Sequence, residues 1–151
     1  MTKKNYMKMV LPACGKNESF ARNVVAGFTV ECSPTMGEIN DIKTAVSEAV
    51  TNAVVHAYDR EEEKNLIEIC ADIDDDSVLT VSVKDFGRGI EDVEKAKEPF
   101  FTTKPDDERS GMGFTVIETF MDEMDVRSVP GEGTTVVMKK RIGRSKDSAE
   151  C

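Results

Sequence analysis

The sequence predicts a two-layer α/β sandwich, a mixed and mostly antiparallel sheet with helices on one face. Three observations predict it. Apolar residues recur at helical spacing from Ile39 to Ala57, the stretches Leu66 to Ile73 and Val78 to Lys84 alternate apolar with polar residues, and the elements follow in the order β-α-α-β-β-loop-α-β-β. A sheet with one apolar face and helices with one apolar stripe bury both by packing together.

The alternation of Asn5 to Leu11 suits an edge strand. In Ser19 to Phe28 the residues Phe20, Val24 and Phe28 stand four apart, as one face of a helix requires. Thr35-Met36-Gly37-Glu38 is a capping box, in which a hydroxyl and a carboxylate each satisfy a backbone N–H that the helix leaves free. The helix it opens is expected to reach Tyr58, with Ile39, Ile42, Val46, Ala49, Val50, Ala53, Val54 and Ala57 as its buried stripe.

Ile67, Ile69, Ala71 and Ile73 share one side of the next strand, and Leu79, Val81 and Val83 share one side of its partner, with Asp74-Asp75-Asp76-Ser77 as the turn. A short helix is expected near Asp92 to Lys97, and a long polar loop from Glu98 to Ser110. Phe114, Ile117, Phe120 or Met121, and Met124 mark a further helix. A strand near Val126 and another from Thr134 to Arg141 flank Pro130-Gly131-Glu132-Gly133.

At 151 residues the chain suits one domain, expected over 1–141, with a polar, frayed tail over 142–151. No apolar run approaches the ~20 residues that cross a bilayer, so a cytoplasmic protein is expected. Twenty basic residues against twenty-nine acidic give a net charge of −9, which repels phosphate backbones and argues against direct nucleic-acid binding. Cys14, Cys32, Cys70 and Cys151 form no C-x-x-C pair and His56 is the only histidine, so neither a zinc site nor a disulfide framework is signalled.

Glu48 and Asn52 lie one turn apart on the long helix, beside its apolar stripe, and aim a carboxylate and an amide at one spot. Asp85-Phe86-Gly87-Arg88-Gly89-Ile90 ends the hairpin with an acid and two glycines. Such a segment lets backbone approach a flat ligand while the carboxylate accepts amino hydrogens, as from adenine N6. Ser110-Gly111-Met112-Gly113-Phe114 brings a long loop into a helix, where free N–H groups attract phosphate, and the loop before it carries Lys104 and Arg109. Each signal has a bland reading as a solvated helix face, a glycine turn or an exposed loop; their conjunction is far stronger than any part. No G-x-x-x-x-G-K-[ST] and no H-R-D segment occurs, which excludes a P-loop NTPase and a eukaryotic-type kinase.

Taken in order, Glu48 to Ala53 with His56-Ala57-Tyr58, then Asp85 to Ile90, then Gly111-Met112-Gly113 resemble the N, G1 and G2 boxes of the GHKL ATPase and kinase superfamily, with the Bergerat fold. Asn17 to Arg22, Pro34-Thr35-Met36, Ser47 to Ala53, Pro99 to Lys104 and Glu108 to Phe114 extend the likeness to its anti-sigma family from endospore-forming bacteria. That resemblance implies a homodimeric Mg-ATP-dependent serine kinase. Such a protein holds sporulation sigma factor F and phosphorylates an anti-anti-sigma antagonist.

By the same resemblance Glu48 is the general base and Asn52 a Mg²⁺ ligand. Asp85 reads adenine, Gly87 and Gly89 belong to the base pocket, and Gly111 and Gly113 approach the phosphates. Lys104 and Arg109 lie in the lid, Arg109 stabilising the transferring phosphoryl, Thr134 backs the adenine, and Arg22 contacts sigma. Phe86 and the pair Phe100-Phe101 depart from the family pattern. A nucleotide-gated binding module without useful catalysis, and a stress-response kinase acting on another sigma factor, are the alternatives.

Overall fold

The computed structural model describes residues 3–59, 62, 64–98 and 113–143. The elements are β1 (Lys3–Pro12), α1 (Lys16–Phe28), a 3₁₀ turn (Thr29–Cys32), α2 (Met36–Asn52), a π-helical turn (Ala53–Ala57), β2 (Leu66–Asp74), β3 (Val78–Asp85), α3 (Val93–Ala96), α4 (Gly113–Phe120), β4 (Glu123–Val129) and β5 (Gly133–Arg141). The sheet has five strands in the order β1-β2-β3-β5-β4. Every pairing is antiparallel, where the sequence left room for a mixed sheet.

The β2–β3 hairpin forms as its alternation predicts, with Ile67, Ile69, Ala71, Ile73, Leu79, Val81 and Val83 all buried. Its turn is held by Asp74, whose Oδ1 accepts the N–H groups of Asp76 at 2.8 Å and Val78 at 3.1 Å. A short acidic side chain thereby replaces backbone acceptors that the turn cannot supply. Helix α2 begins at the expected capping box: Glu38 N–H donates to Thr35 Oγ1 at 3.1 Å, and Thr35 N–H donates to Glu38 Oε1 at 2.9 Å. It packs between α1 and α4 over the sheet.

Several expectations shift by small amounts. Helix α1 buries Ala21, Val25 and Ala26, whereas Phe20 is 53% exposed, so its inward face is turned from the line of its largest residues. A small Ala21 admits the close approach of two helices that a phenyl ring would prevent. The α-helical part of α2 stops at Asn52, and Ala53–Ala57 widens to a π turn before Tyr58 becomes extended. Met124 belongs to β4, because α4 ends at Phe120. Ile142, expected at the start of the tail, is buried, and its N–H donates to Ser77 O at 3.0 Å. Its aliphatic bulk closes the core beneath the hairpin turn.

The antiparallel register carries two of the expected site positions to one end of the sheet. Lys84 pairs with Thr135, which sets Asp85 at the end of β3 beside Thr134 at the start of β5. Among the described residues no helix is long and apolar enough to cross a membrane.

Candidate functional site

The site lies where the C-terminal end of α2, the end of β3, the start of β5 and the N-terminus of α4 converge. Asp85 is its buried acid, at 7% exposure. Its Oδ1 accepts the N–H of Gly87 at 3.0 Å and that of Thr134 at 3.1 Å. Burial raises the carboxyl pKa above the usual carboxylate range, against the lowering effect of those two N–H donors. Only Oδ1 is engaged, and no buried side-chain oxygen among the described residues is both sealed from solvent and unbonded, so Oδ2 remains open as an acceptor.

Three glycines build the walls around this acid, each where a side chain has no room. A Cβ on Gly87 would stand 2.6 Å from the carbonyl carbon of Ala57, in the π turn that follows Asn52. Arg88 N–H donates to that same Ala57 carbonyl at 2.9 Å, so the π turn is bonded to the loop after β3. Gly89 has φ +75°, and a Cβ there would lie 2.9 Å from Pro130 Cα. Gly133 has φ +130°, and its Cβ would lie 2.9 Å from Phe86 Cα.

Asn52, half-buried, ends α2, and Glu48 stands one turn before it, also half-buried. A Cβ on Gly113 would lie 2.9 Å from both Nδ2 and Oδ1 of Asn52, so the bare backbone at the start of α4 faces the carboxamide directly. A helix N-terminus with this little bulk receives an anion through its free N–H groups and its dipole. The cradle therefore fits a nucleotide on both counts: a buried acceptor at one end, and an amide against a glycine-lined helix start at the other.

Of the residues expected from sequence, Glu48, Asn52, Asp85, Gly87, Gly89, Gly113 and Thr134 stand on these converging elements. Lys104, Arg109 and Gly111 lie outside the described residues, as do Phe100 and Phe101. Arg22 is on α1, where its Nη1 donates to Glu18 Oε2 at 2.8 Å, one turn away on the same helix. Phe86 is half-exposed with the Lys84 ammonium 5.1 Å from its ring centre, so its ring lies beside a solvated cation.

Sequence reasoning gave no site role to three residues that complete the site. Tyr58 Oη donates to Leu66 O at 2.7 Å and accepts Phe86 N–H at 2.8 Å, pinning the loop after β3 to the start of β2. Burial, helped by the neighbouring Asp85 charge, raises its pKa above the usual phenol range, which keeps the proton for Leu66. Ser128 Oγ meets Ile90 N–H at 2.7 Å, Gly133 O at 3.1 Å and Thr134 Oγ1 at 2.8 Å. Gly133 supplies the positive φ at the mouth of β5. Tyr58, beside His56-Ala57 in the first box, and Gly133, in the run Pro130 to Gly133, stood within sequence signals, whereas Ser128 stood in none.

Comparison with known proteins places this geometry among relatives. Residues 16–140 match the family model of the histidine kinase-like ATPase domain. The chain is 55% identical over 142 residues to the anti-sigma F factor of Caldanaerobacter subterraneus subsp. tengcongensis, covering 94% of this chain and 97% of the relative. It is 52% identical to the anti-sigma F factor of Clostridium acetobutylicum, covering 95% and 98%.

Among solved structures, the RsbU and RsbW domains of a Mycobacterium tuberculosis protein match with TM-score 0.67 at 23% identity, over 92% of this chain and 33% of that one. The SiaB–SiaC complex of Pseudomonas aeruginosa matches with TM-score 0.58 at 12% identity, over 89% and 88%. At these identities the structural matches speak for the fold.

Proposed function

The chain belongs to the anti-sigma F factor family, within the histidine kinase-like ATPases, and from that premise we propose that it is a Mg-ATP-dependent protein-serine kinase that also restrains sporulation sigma factor F. Its phosphoryl acceptor in this reading is a serine of an anti-anti-sigma antagonist, whose modification leaves sigma held. The observation that carries the nucleotide part is Asp85: a buried carboxylate with Oδ1 tied to two N–H groups and Oδ2 open. That is the donor-reading arrangement that an exocyclic amino group requires.

The remaining roles carry over from the family likeness, and for the described residues their positions support it. Thr134 backs the base beside Asp85, and Gly87 and Gly89 let backbone pass close to its plane. Gly113 presents the α4 N-terminus to phosphate oxygens, and Gly111 precedes it in the chain. Mg²⁺ commonly takes one or two protein ligands and keeps phosphate and water oxygens for the rest, so the single Asn52 carboxamide suits it. The bound ion would neutralise charge on the phosphates. Glu48, one turn from Asn52, takes the proton of an incoming hydroxyl in this reading. Lys104 and Arg109 are assigned to phosphate contact and to charge on the transferring group, and Arg22 to the sigma surface.

A homodimer built through the outer edge of β1 and α1 belongs to the same reading. Beyond β1 the sheet has no further strand among the described residues, which makes β1 the edge that a second copy would meet.

The test is the intact mass of the antagonist after incubation with this chain and Mg-ATP, beside Glu48→Gln. One added phosphate, absent with the variant, establishes both the kinase and the place of Glu48. No added phosphate despite ATP binding would leave a nucleotide-gated sigma-binding module.

A further inference from the structure

Ser128 lies on β4, outside every motif that marks the site, yet its hydroxyl reaches three partners at once. Ile90 N–H, in the segment that follows Gly89, is only a donor, so Ser128 Oγ accepts it at 2.7 Å. Gly133 O is only an acceptor, so the single Ser128 proton goes to it at 3.1 Å. One lone pair then remains, facing Thr134 Oγ1 at 2.8 Å. All three contacts hold together in one arrangement alone, with Thr134 donating its hydroxyl proton to Ser128.

The consequence falls on Thr134. With its proton committed to Ser128, Thr134 Oγ1 offers only lone pairs to the site. Its own N–H is committed as well, to Asp85 Oδ1 at 3.1 Å. The wall formed by Asp85 Oδ2 and Thr134 Oγ1 is therefore an acceptor throughout. Set against position 6, it receives the amino group of a 6-amino purine, which donates, and opposes the oxygen of a 6-oxo purine, which accepts.

We propose that Ser128 is a positioning residue that sets selectivity for adenine over guanine nucleotides by holding the Thr134 hydroxyl as an acceptor. The inference rests on the reading that the Asp85–Thr134 wall receives the base of ATP. Without the Ser128 hydroxyl, Thr134 is free to turn its proton toward an incoming 6-oxo group, and the discrimination weakens.

The test is equilibrium binding of Mg-ATP and Mg-GTP, measured by calorimetry on the full chain. The proteins are the unaltered one, Ser128→Ala, Ser128→Thr, Thr134→Val and the double variant Ser128→Ala/Thr134→Val. The ATP:GTP affinity ratio is expected to fall about tenfold or more in Ser128→Ala, as one mis-set hydrogen bond gives, and to be kept in Ser128→Thr. In the Thr134→Val background Ser128→Ala should change the ratio no further, because its effect acts through the missing hydroxyl.

An unaltered ratio in Ser128→Ala, or an equal loss in both backgrounds, overturns the role of Ser128 while leaving ATP binding in place. Failure of the unaltered protein to bind either nucleotide overturns the nucleotide reading and this inference with it. Should Ser128→Ala fail to fold by circular dichroism, Ser128→Cys nearly preserves the volume with a thiol that bonds only weakly, and it takes that variant's place with the same expected loss.

Discussion

The Oδ1 atom of Asp85 accepts the backbone N–H of Thr134 at 3.1 Å, joining the end of β3 to the start of β5. Because the same oxygen also holds Gly87 N–H, the carboxylate cannot swing, and Oδ2 keeps one direction. Under the proposed base recognition, the structural and the recognition tasks are thus divided between the two oxygens of one side chain.

That division predicts the behaviour of Asp85→Asn. The amide oxygen can take over the two backbone donors, leaving an NH₂ where an acceptor stood. The variant should retain its far-UV circular dichroism and lose Mg-ATP affinity by roughly 10- to 100-fold, as expected for a hydrogen bond to a charged group. Calorimetric titration checks it; undiminished ATP affinity would remove Asp85 from base recognition.

Two glycines should respond very differently to alanine. At Gly87 a Cβ would stand 2.6 Å from the Ala57 carbonyl carbon, a backbone atom that moves only with the π turn. Gly131, with φ +82°, has nothing within 4 Å of its Cβ position, so only the left-handed backbone resists the substitution. Urea unfolding should show Gly87→Ala destabilised by about 2–4 kcal/mol, in the range of buried overpacking, and Gly131→Ala by about 1 kcal/mol. Equal losses would mean that the contact between Gly87 and Ala57 carries no strain.

Gly113→Ala isolates the phosphate end. Its Cβ would lie 2.9 Å from the terminal atoms of Asn52, which rotate away cheaply, so folding is spared while the carboxamide is displaced. The melting temperature should change little, and Mg-dependent ATP affinity should fall about tenfold or more, the scale of one lost directed contact. ADP measured without Mg²⁺ should be affected less, because the displaced group is the proposed metal ligand.

How far the sequence revealed all this depends on whether a signal is local. The β2–β3 hairpin and the start of α2 were legible because alternation and a capping box are read within a few residues. The face of α1 was not: Phe20 is larger than Ala21, yet the approach of α2 favours the smaller residue, a choice made by the partner helix. The π turn at Ala53–Ala57 was hidden because widening a helix leaves its composition unchanged. Asp85 and Asn52 stood out as candidates by type and order, whereas Ser128 and Tyr58 gain their partners only through the folding of distant loops against them, from residues up to 38 positions away. Nothing beside them in the chain announces those partners.

Stability should carry the signature of Asp85 across pH. Burial raises its folded carboxyl pKa above the unfolded value, so between the two the folded state binds more protons than the unfolded chain. The Asp85 contribution is therefore most favourable below the unfolded pKa. It is lost as pH rises from the ordinary carboxylate range through the raised folded value, and is constant beyond it. Asp85→Asn lacks this dependence, while the distant carboxylates titrate alike in both proteins and cancel in the difference. Urea unfolding from pH 4 to pH 8 should thus show unaltered protein losing stability relative to Asp85→Asn as pH rises, by about 1.4 kcal/mol for each unit of separation between the two pKa values. A difference that grows the other way would mean that the Gly87 and Thr134 donors outweigh burial, making Asp85 a stabilising anion in the free protein.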